Sequence, residues 1–324
     1  MALTRIPRID GLISGGGVPL AQGDPDREAV CLLQDLLRCQ GYTRIPDARS
    51  PGYGTFGNLT REAVLGCRAA AGLDARPQAD AALLLDLARR PASRPAASRG
   101  YLALALDYDW DDTLAAVAAT SLFESGGRFD CVNRNTDRAG LSFGIIQWAQ
   151  RPGRLHELLQ GFQTRQPAIF ARLAVDGPGL LAHTALPNGG VERDTGRTVD
   201  PRYALVDPPW LDRFLAMGRD RDLQKVQVDM AVEAYRASLA RLLPKAPEIR
   251  SERGCAFLLD LANQHGDGGA ASIYAAVRTP GMAEADLLAA MQRESVRRVT
   301  AQFGEGSREA ASTFSRREFF RTVA

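Results

Sequence analysis

Glu124 and Asp137 are two carboxylates set in contrasting surroundings. Glu124 stands in "SLFESGGRFD", after Leu114, Val117, Ala118, Ser121 and Leu122 at the i, i+3, i+4, i+7, i+8 spacing of one buried helical face. That spacing puts it near the C-terminal end of a packed helix, followed by two glycines. Unpaired carbonyls give such an end a partial negative charge, so a carboxylate there is expected to hold its proton longer than a free one. Asp137 follows in "NRNTDRAG", a polar turn where a carboxylate stays ionised. Breaking an acetal uses this division. One acid delivers a proton to the leaving oxygen, while a second group activates water or steadies the developing cation. Each residue also has a plainer reading: Glu124 as a solvated last-turn residue before a glycine cap, and Asp137 as an Asx-turn residue.

A second constellation follows directly. In "GLSFGIIQW" (Gly140 to Trp148), Leu141, Phe143 and Ile145 alternate with Ser142, Gly144 and Ile146, which predicts a short strand or hairpin. Ser142 can orient a water or be inert. Gln147 can bind an N-acetyl group or satisfy a backbone amide. Trp148 can be a sugar-stacking platform or core packing. Further on, "LANQHGDGG" carries Asn263, Gln264 and His265, the histidine either a cleft hydrogen-bonder or a cap near a helix end. Other chemistries fare worse. His156, His183 and His265 are far apart, and "HELLQ" lacks the second histidine of a metalloprotease motif, so no metal or cofactor is expected. A Cys/His peptidase would need Cys131 or Cys255 with His265, and Cys255 falls in an apolar helix where a thiol is inert.

The elements that must hold these residues are mostly helical. The chain has 324 residues, 45 % hydrophobic and 24 % charged, enough for about two domains. A net charge of +2 does not argue for nucleic acid, and apart from Lys225 and Lys245 every cation is Arg. Five scattered cysteines (Cys31, Cys39, Cys67, Cys131 and Cys255) give neither a disulfide framework nor a zinc pair. "RRPASRPAASRG" breaks the apolar periodicity and reads as a linker. Residues 1–23 are expected to form an N-terminal arm, 24–90 a three-helix module, 91–100 the linker and 101–324 the catalytic domain. In the module, Thr60 is expected to cap a helix. In the last segment, Leu223–Leu243 and Ala285–Phe303 are read as helices, and 183–210 as a long loop.

The first segment resembles a known family. Val30, Leu33-Gln34, Leu37, Gly41-Tyr42, Tyr53-Gly54 and above all "FGNLTREAV" (Phe56 to Val64) are similar to the helical peptidoglycan-binding domain of cell-wall hydrolases. It departs from that pattern at Cys67-Arg68, where such domains place Phe-Gln, and in the insertion "RIPDARSPGYG". The resemblance implies wall binding, with Tyr42 and Tyr53 as candidate contacts. "ESGG" followed by "TDRAGLSFGIIQW" resembles the lysozyme-like superfamily, in particular goose-type lysozymes and lytic transglycosylases, over about residues 105–160 and 250–270. The resemblance implies that Glu124 is the general acid, that Gly144 and Gln147 line the cleft, and that Asn263, Gln264 and His265 face substrate. "GLSFGIIQW" is also similar to chitosanases.

The expected fold is mainly α: a small three-helix module, then a two-lobed lysozyme-like α+β domain with a short β hairpin. The expected activity is cleavage of the N-acetylmuramic acid–N-acetylglucosamine β-1,4 bond in peptidoglycan, by a muramidase or a lytic transglycosylase. The alternatives are a chitosanase-like glycosidase and a non-catalytic wall-binding protein. The N-terminus lacks a signal-peptide apolar run, and no stretch is long enough to span a membrane. The expectation is therefore cytoplasmic synthesis and action in the periplasm or on the wall after release, like an endolysin, or after injection, like an antibacterial effector. An effector would have an immunity protein or a secretion-machine carrier as partner.

Overall fold

The computed structural model describes residues 6–46, 50–89, 112–134 and 139–322. Contacts divide them into two compact units. One holds the described residues of Trp110–Phe123 and Ala231–Ala324, the other those of Leu3–Asp109 and Glu124–Met230, so the 101–324 segment contributes to both. The 91–100 linker lies outside the described residues.

The described residues from 6 to 89 share one apolar core. Four helices build it: α1 (Pro7–Ile13), α2 (Arg27–Cys39), α3 (Asn58–Ala70) and α4 (Ala81–Arg89). The segment expected as an arm is part of this core. Ile6, Ile9, Leu12 and Leu20 are buried in it, and Leu20 exchanges two backbone hydrogen bonds with Ala79 at 2.9 Å. Asp26 and Asp80 cap α2 and α4 by accepting from the N–H groups of Ala29 and Leu83, each at 3.0 Å. Thr60 does not cap α3, which starts from Gly57. It lies buried in the first turn, where its hydroxyl accepts from Gln34 Nε2 at 3.1 Å. Gln34 is 0 % exposed; it also donates to Thr55 O (3.0 Å) and accepts from Gly54 N (2.8 Å), holding the glycine-rich loop on α2. Arg68, the departure from the family pattern, is buried and pairs with Asp74 and, at 3.0 Å, with Asp80. It knits the turn between α3 and α4 through charge instead of packing.

In the same unit, residues 124–230 surround a three-stranded antiparallel sheet, β1 (Val132–Arg134), β2 (Leu141–Phe143) and β3 (Trp148–Ala149), in the order β1-β2-β3. Asn133 stands opposite Ser142, and Phe143 opposite Trp148. The expected alternation ends early. The strand stops at Phe143, Gly144–Gln147 form a turn, and β2 is buried on both faces. Helices α6 (Arg154–Arg165), α7 (Pro167–Ala174), α8 (Gly177–Thr184), α9 (Trp210–Arg219) and α10 (Arg221–Leu242) accompany the sheet. Phe143 packs on Phe214 (5.1 Å between centroids) and edge-on to Phe162 (6.5 Å), which joins Phe170. The 183–210 stretch is an ordered strap. His183 stacks on Tyr203 at 4.8 Å, and Gln150, tucked behind β3, donates to Gly189 O at 2.8 Å.

The other unit contains α5 (Asp112–Glu124) up to Phe123, the end of α10, α11 (Glu252–Val277), α12 (Glu284–Phe303) and α13 (Arg308–Thr322). Val117, Phe257, Leu258, Leu261, Met291 and Phe320 form its core. Gly266 (φ 71°, ψ 165°) breaks α11, a conformation that an L side chain rarely adopts. Among the described residues, no helix is long and apolar enough to cross a membrane.

Candidate active site

Glu124 is the last residue of α5, as the apolar spacing predicts. The helix ends there because Gly126 and Gly127 both take left-handed φ angles (64° and 76°). Ser125 ties this corner to the sheet, its Oγ donating to Ile145 O at 2.9 Å in the turn after β2. That turn is itself stapled. Gly144 N donates to Cys131 O (2.9 Å), and buried Gln227 of α10 accepts from Ile145 N (3.0 Å) while donating to Phe129 O (3.2 Å). A Cβ on Gly144 would lie 2.4 Å from Gln227 Oε1, so glycine is required both for its φ of 84° and for this staple. The chain leading from Glu124 into β1 is fixed by Asp130, whose carboxylate meets Arg128 at 3.0 Å and Arg219 at 3.2 Å. The result is a helix-terminal carboxylate beside a rigid β turn.

The other sequence-predicted residues sit around this corner in different ways. Ser142 is 4 % exposed in the middle of β2. Gln147 holds a positive φ (55°), and its Nε2 donates to Gly144 O (2.9 Å) and Cys131 O (3.3 Å), so of its two readings the structure displays the backbone one. Trp148 is 2 % exposed and packs in the core; it presents no face for sugar stacking. Burial pushes the Cys131 thiol above its ordinary range; Arg128 opposes this, and Asp130 and Glu124 add to it. A thiol kept protonated is a poor nucleophile. Asp137 lies outside the described residues. Before it, Arg134 donates to Val206 O at 2.7 Å and pairs with Asp207; after it, Ala139 O accepts from Arg151 N at 3.1 Å.

Asn263, Gln264 and His265 belong to the other unit, on the last turn of α11 before its break. Asn263 is half-buried. Gln264 donates to Thr313 Oγ1 (3.0 Å) and accepts from Arg317, and His265 Nε2 lies 3.1 Å from Ser295 Oγ. Burial, with Arg298 and Arg316 nearby, holds His265 below the usual imidazole range. The polar atoms of Gln264 and His265 thus bind α12 and α13.

Sequence reasoning missed the group that anchors α5. Asp260 of α11 is 0 % exposed and accepts from Arg316 Nε at 2.7 and 2.9 Å, from Arg317, and from Thr120 Oγ1 at 3.3 Å. Thr120 lies one turn before Glu124. Phe123, directly before it, packs on Phe319 (5.4 Å) and Phe320 (6.0 Å), with the Arg316 guanidinium 5.8 Å from its ring centroid. A signal was present, since a lone carboxylate in the apolar run "AFLLDLAN" needs a buried cation, and "SRREFF" holds two. For Gln227 no sequence signal stands out. Tyr42 and Tyr53 lie in the N-terminal module. The Tyr53 hydroxyl donates to Asp35 at 2.8 Å, and burial with that hydrogen bond raises its pKa. Among the described residues, no cluster of three His, Cys, Asp or Glu could hold a metal.

By sequence, no family model and no curated protein matches the chain. Solved structures do match by shape. A mutant chitosanase from Bacillus subtilis MY002, complexed with 6 GlcN, superposes with a TM-score of 0.52 at 18 % identity, covering 66 % of this chain and 89 % of that one. The GH46 chitosanase of Gynuella sunshinyii, in complex with chitotetraose, gives 0.51 at 16 % identity over 66 % and 88 %. The chain therefore has a mainly α, lysozyme-like fold with a small three-stranded sheet. Within that class it is similar to GH46 chitosanases.

Proposed function

We propose that the chain is a glycoside hydrolase that cuts a β-1,4-linked amino-sugar polymer, with peptidoglycan as substrate and Glu124 as general acid. The observation that carries this reading is the corner at Glu124. A carboxylic acid closes α5, and Ser125 fastens it to the turn of a small sheet in a lysozyme-like fold. Glu124 protonates the glycosidic oxygen as the bond to the anomeric carbon breaks. Two continuations differ in what attacks that carbon. With Asp137 as base, water attacks from the opposite face and gives up its proton to that carboxylate, which needs carboxyl groups about 6.5–9.5 Å apart. Without it, the sugar's own hydroxyl attacks and returns its proton to Glu124, leaving an anhydro end.

The choice of peptidoglycan is supported by the N-terminal module and its resemblance to wall-binding domains. A second reading, chitosan cleavage, is favoured by the two chitosanases of similar fold. Digestion of purified peptidoglycan and of chitosan, with wild type and Glu124→Gln, separates the readings by mass spectrometry of the products. Reducing-end N-acetylmuramic acid from wild type alone supports a muramidase, and ends lighter by one water support a transglycosylase. Glucosamine oligomers from chitosan alone support the second reading. No glycan product from either polymer refutes both. In a muramidase, Asp137→Asn should lower kcat about 100-fold or more; in a transglycosylase it should leave most of the rate.

A further inference from the structure

Helices α12 and α13 form a hairpin through the short turn at 304–307, and between them runs an open groove of about 770 Å³. Its α12 wall carries Ala289, Gln292, Arg293, Val296 and Arg297, the i, i+3, i+4, i+7, i+8 spacing of one helical face. Its α13 wall carries Phe314, Glu318 and Arg321 at i, i+4, i+7. At 1.5 Å per residue the α12 stripe extends over roughly 12 Å. The floor is set in advance. Gln292 is 5 % exposed, its Nε2 donating to Glu318 Oε2 at 3.0 Å and its Oε1 accepting from Arg321 Nε at 3.1 Å. The rest of the lining is apolar: Ala289 and Val296 are half-buried, and Phe314 is 53 % exposed. A single exposed ring is ordinary on a protein surface. This one stands with two further apolar side chains in a concavity between packed helices.

Shape and charge together indicate what fills it. Two packed helices with side-by-side stripes leave the valley that receives a third helix in a bundle. Ala289 is small enough to let a neighbouring backbone approach, while Val296 and Phe314 offer apolar contact on either wall. The rim is positive. Glu318 pairs with Arg321 at 2.7 Å, and Glu294 is shared by Arg297 (2.7 Å) and Arg298 (2.8 Å), so with Arg293 four guanidinium groups stand against two carboxylates. An occupant with an apolar face and flanking carboxylates complements both features. A lipid surface or a nucleic-acid duplex would touch the arginines but leave the concave apolar floor empty. We propose that this groove is the docking site for an acidic amphipathic helix of a partner protein. Its apolar side chains, at i, i+3 or i+4 and i+7, lie on Val296 and Phe314, and its carboxylates meet Arg293, Arg297 and Arg321. The proposal is independent of which glycan the chain cuts.

The test presents the full chain to a displayed library of randomised helical peptides and, separately, to vesicles of phosphatidylglycerol. Selected sequences should be rich in Asp and Glu and carry Leu, Ile, Met or Phe at i, i+3 or i+4 and i+7. A synthetic peptide of the selected sequence should bind the full chain, more weakly as salt is raised. Phe314→Ala and Arg293→Glu should each weaken that binding about tenfold or more, as loss of an aromatic anchor or reversal of a rim charge does. Both side chains are exposed, so the variants should keep the wild-type circular dichroism and melting temperature. A peptide of the same composition, scrambled so that the apolar spacing is lost, should bind at least about tenfold more weakly. Selection of no sequence, of basic ones, or of peptides that bind both variants as tightly as wild type would overturn the proposal. Vesicle binding that both substitutions abolish, with no peptide selected, would overturn it too and assign the groove to a lipid surface.

Discussion

At the scale of single residues, Glu124, the proposed proton donor, ends α5 next to Ser125, which is hydrogen-bonded to the β turn. Glu124→Gln preserves shape but carries no transferable proton, so kcat should fall by about 100-fold to 10,000-fold while the folded spectrum is kept. Retention of more than a few per cent of activity would remove Glu124 from the mechanism. Trp148 makes a different test. Its burial assigns it to the core, so Trp148→Ala should cost about 3–5 kcal/mol in denaturant unfolding, far more than loss of an exposed sugar platform would. The apolar helix face and the paired glycines made Glu124 visible in the sequence. Trp148 was not decidable there, because an aromatic beside a strand reads alike whether it faces glycan or core.

At the scale of elements, one buried side chain staples the β turn in its unit and another fastens α5 to α13 in the other. Gln227 satisfies the backbone on two segments at once, Ile145 N and Phe129 O. Gln227→Leu leaves both buried groups unpaired, a loss of about 1–3 kcal/mol each, and should loosen the β turn that Ser125 grips. Activity should then decline further than stability alone explains, measured well below the melting temperature. Asp260 binds Thr120 of α5 and the two arginines of α13. Asp260→Ala strands buried guanidinium groups and should cost about 3–5 kcal/mol. The helices over 221–242 and 284–303 were legible from their periodicity. The strand within "GLSFGIIQW" was legible as an element but not in its burial, since tertiary cover on both faces erases the two-residue alternation.

For the whole molecule, the histidines set an acid limit. Burial lowers the pKa of both His183 and His265. Asp200 acts against it at His183, and Arg298 and Arg316 add to it at His265. Each folded-state pKa lies below the unfolded value of about 6.5, so the unfolded chain binds more protons in the interval between them. Their contribution to stability is present above about pH 6.5 and is lost as the pH falls towards the folded values. Melting temperature should therefore drop between pH 7 and pH 5, and His265→Gln should reduce that drop. An equal drop in the variant would clear His265 of the effect.

The sequence by itself determined the mainly helical class, the position of Glu124 at a helix end and the glycine-rich turns, because these follow from local periodicity and local backbone preference. It also read residues 24–90 as a module of their own, an expectation that left 1–23 outside a core that Ile6, Ile9, Leu12 and Leu20 help to build. Tertiary structure alone decided which polar side chains serve the backbone and which serve each other. Gln147 and Gln227 bind carbonyl and amide groups of the β turn, and Asp260 gathers cations from 56 and 57 residues further on. Burying a polar group is costly until it finds a partner, and that partner is chosen by the packing of segments far apart in the chain, which no local pattern records.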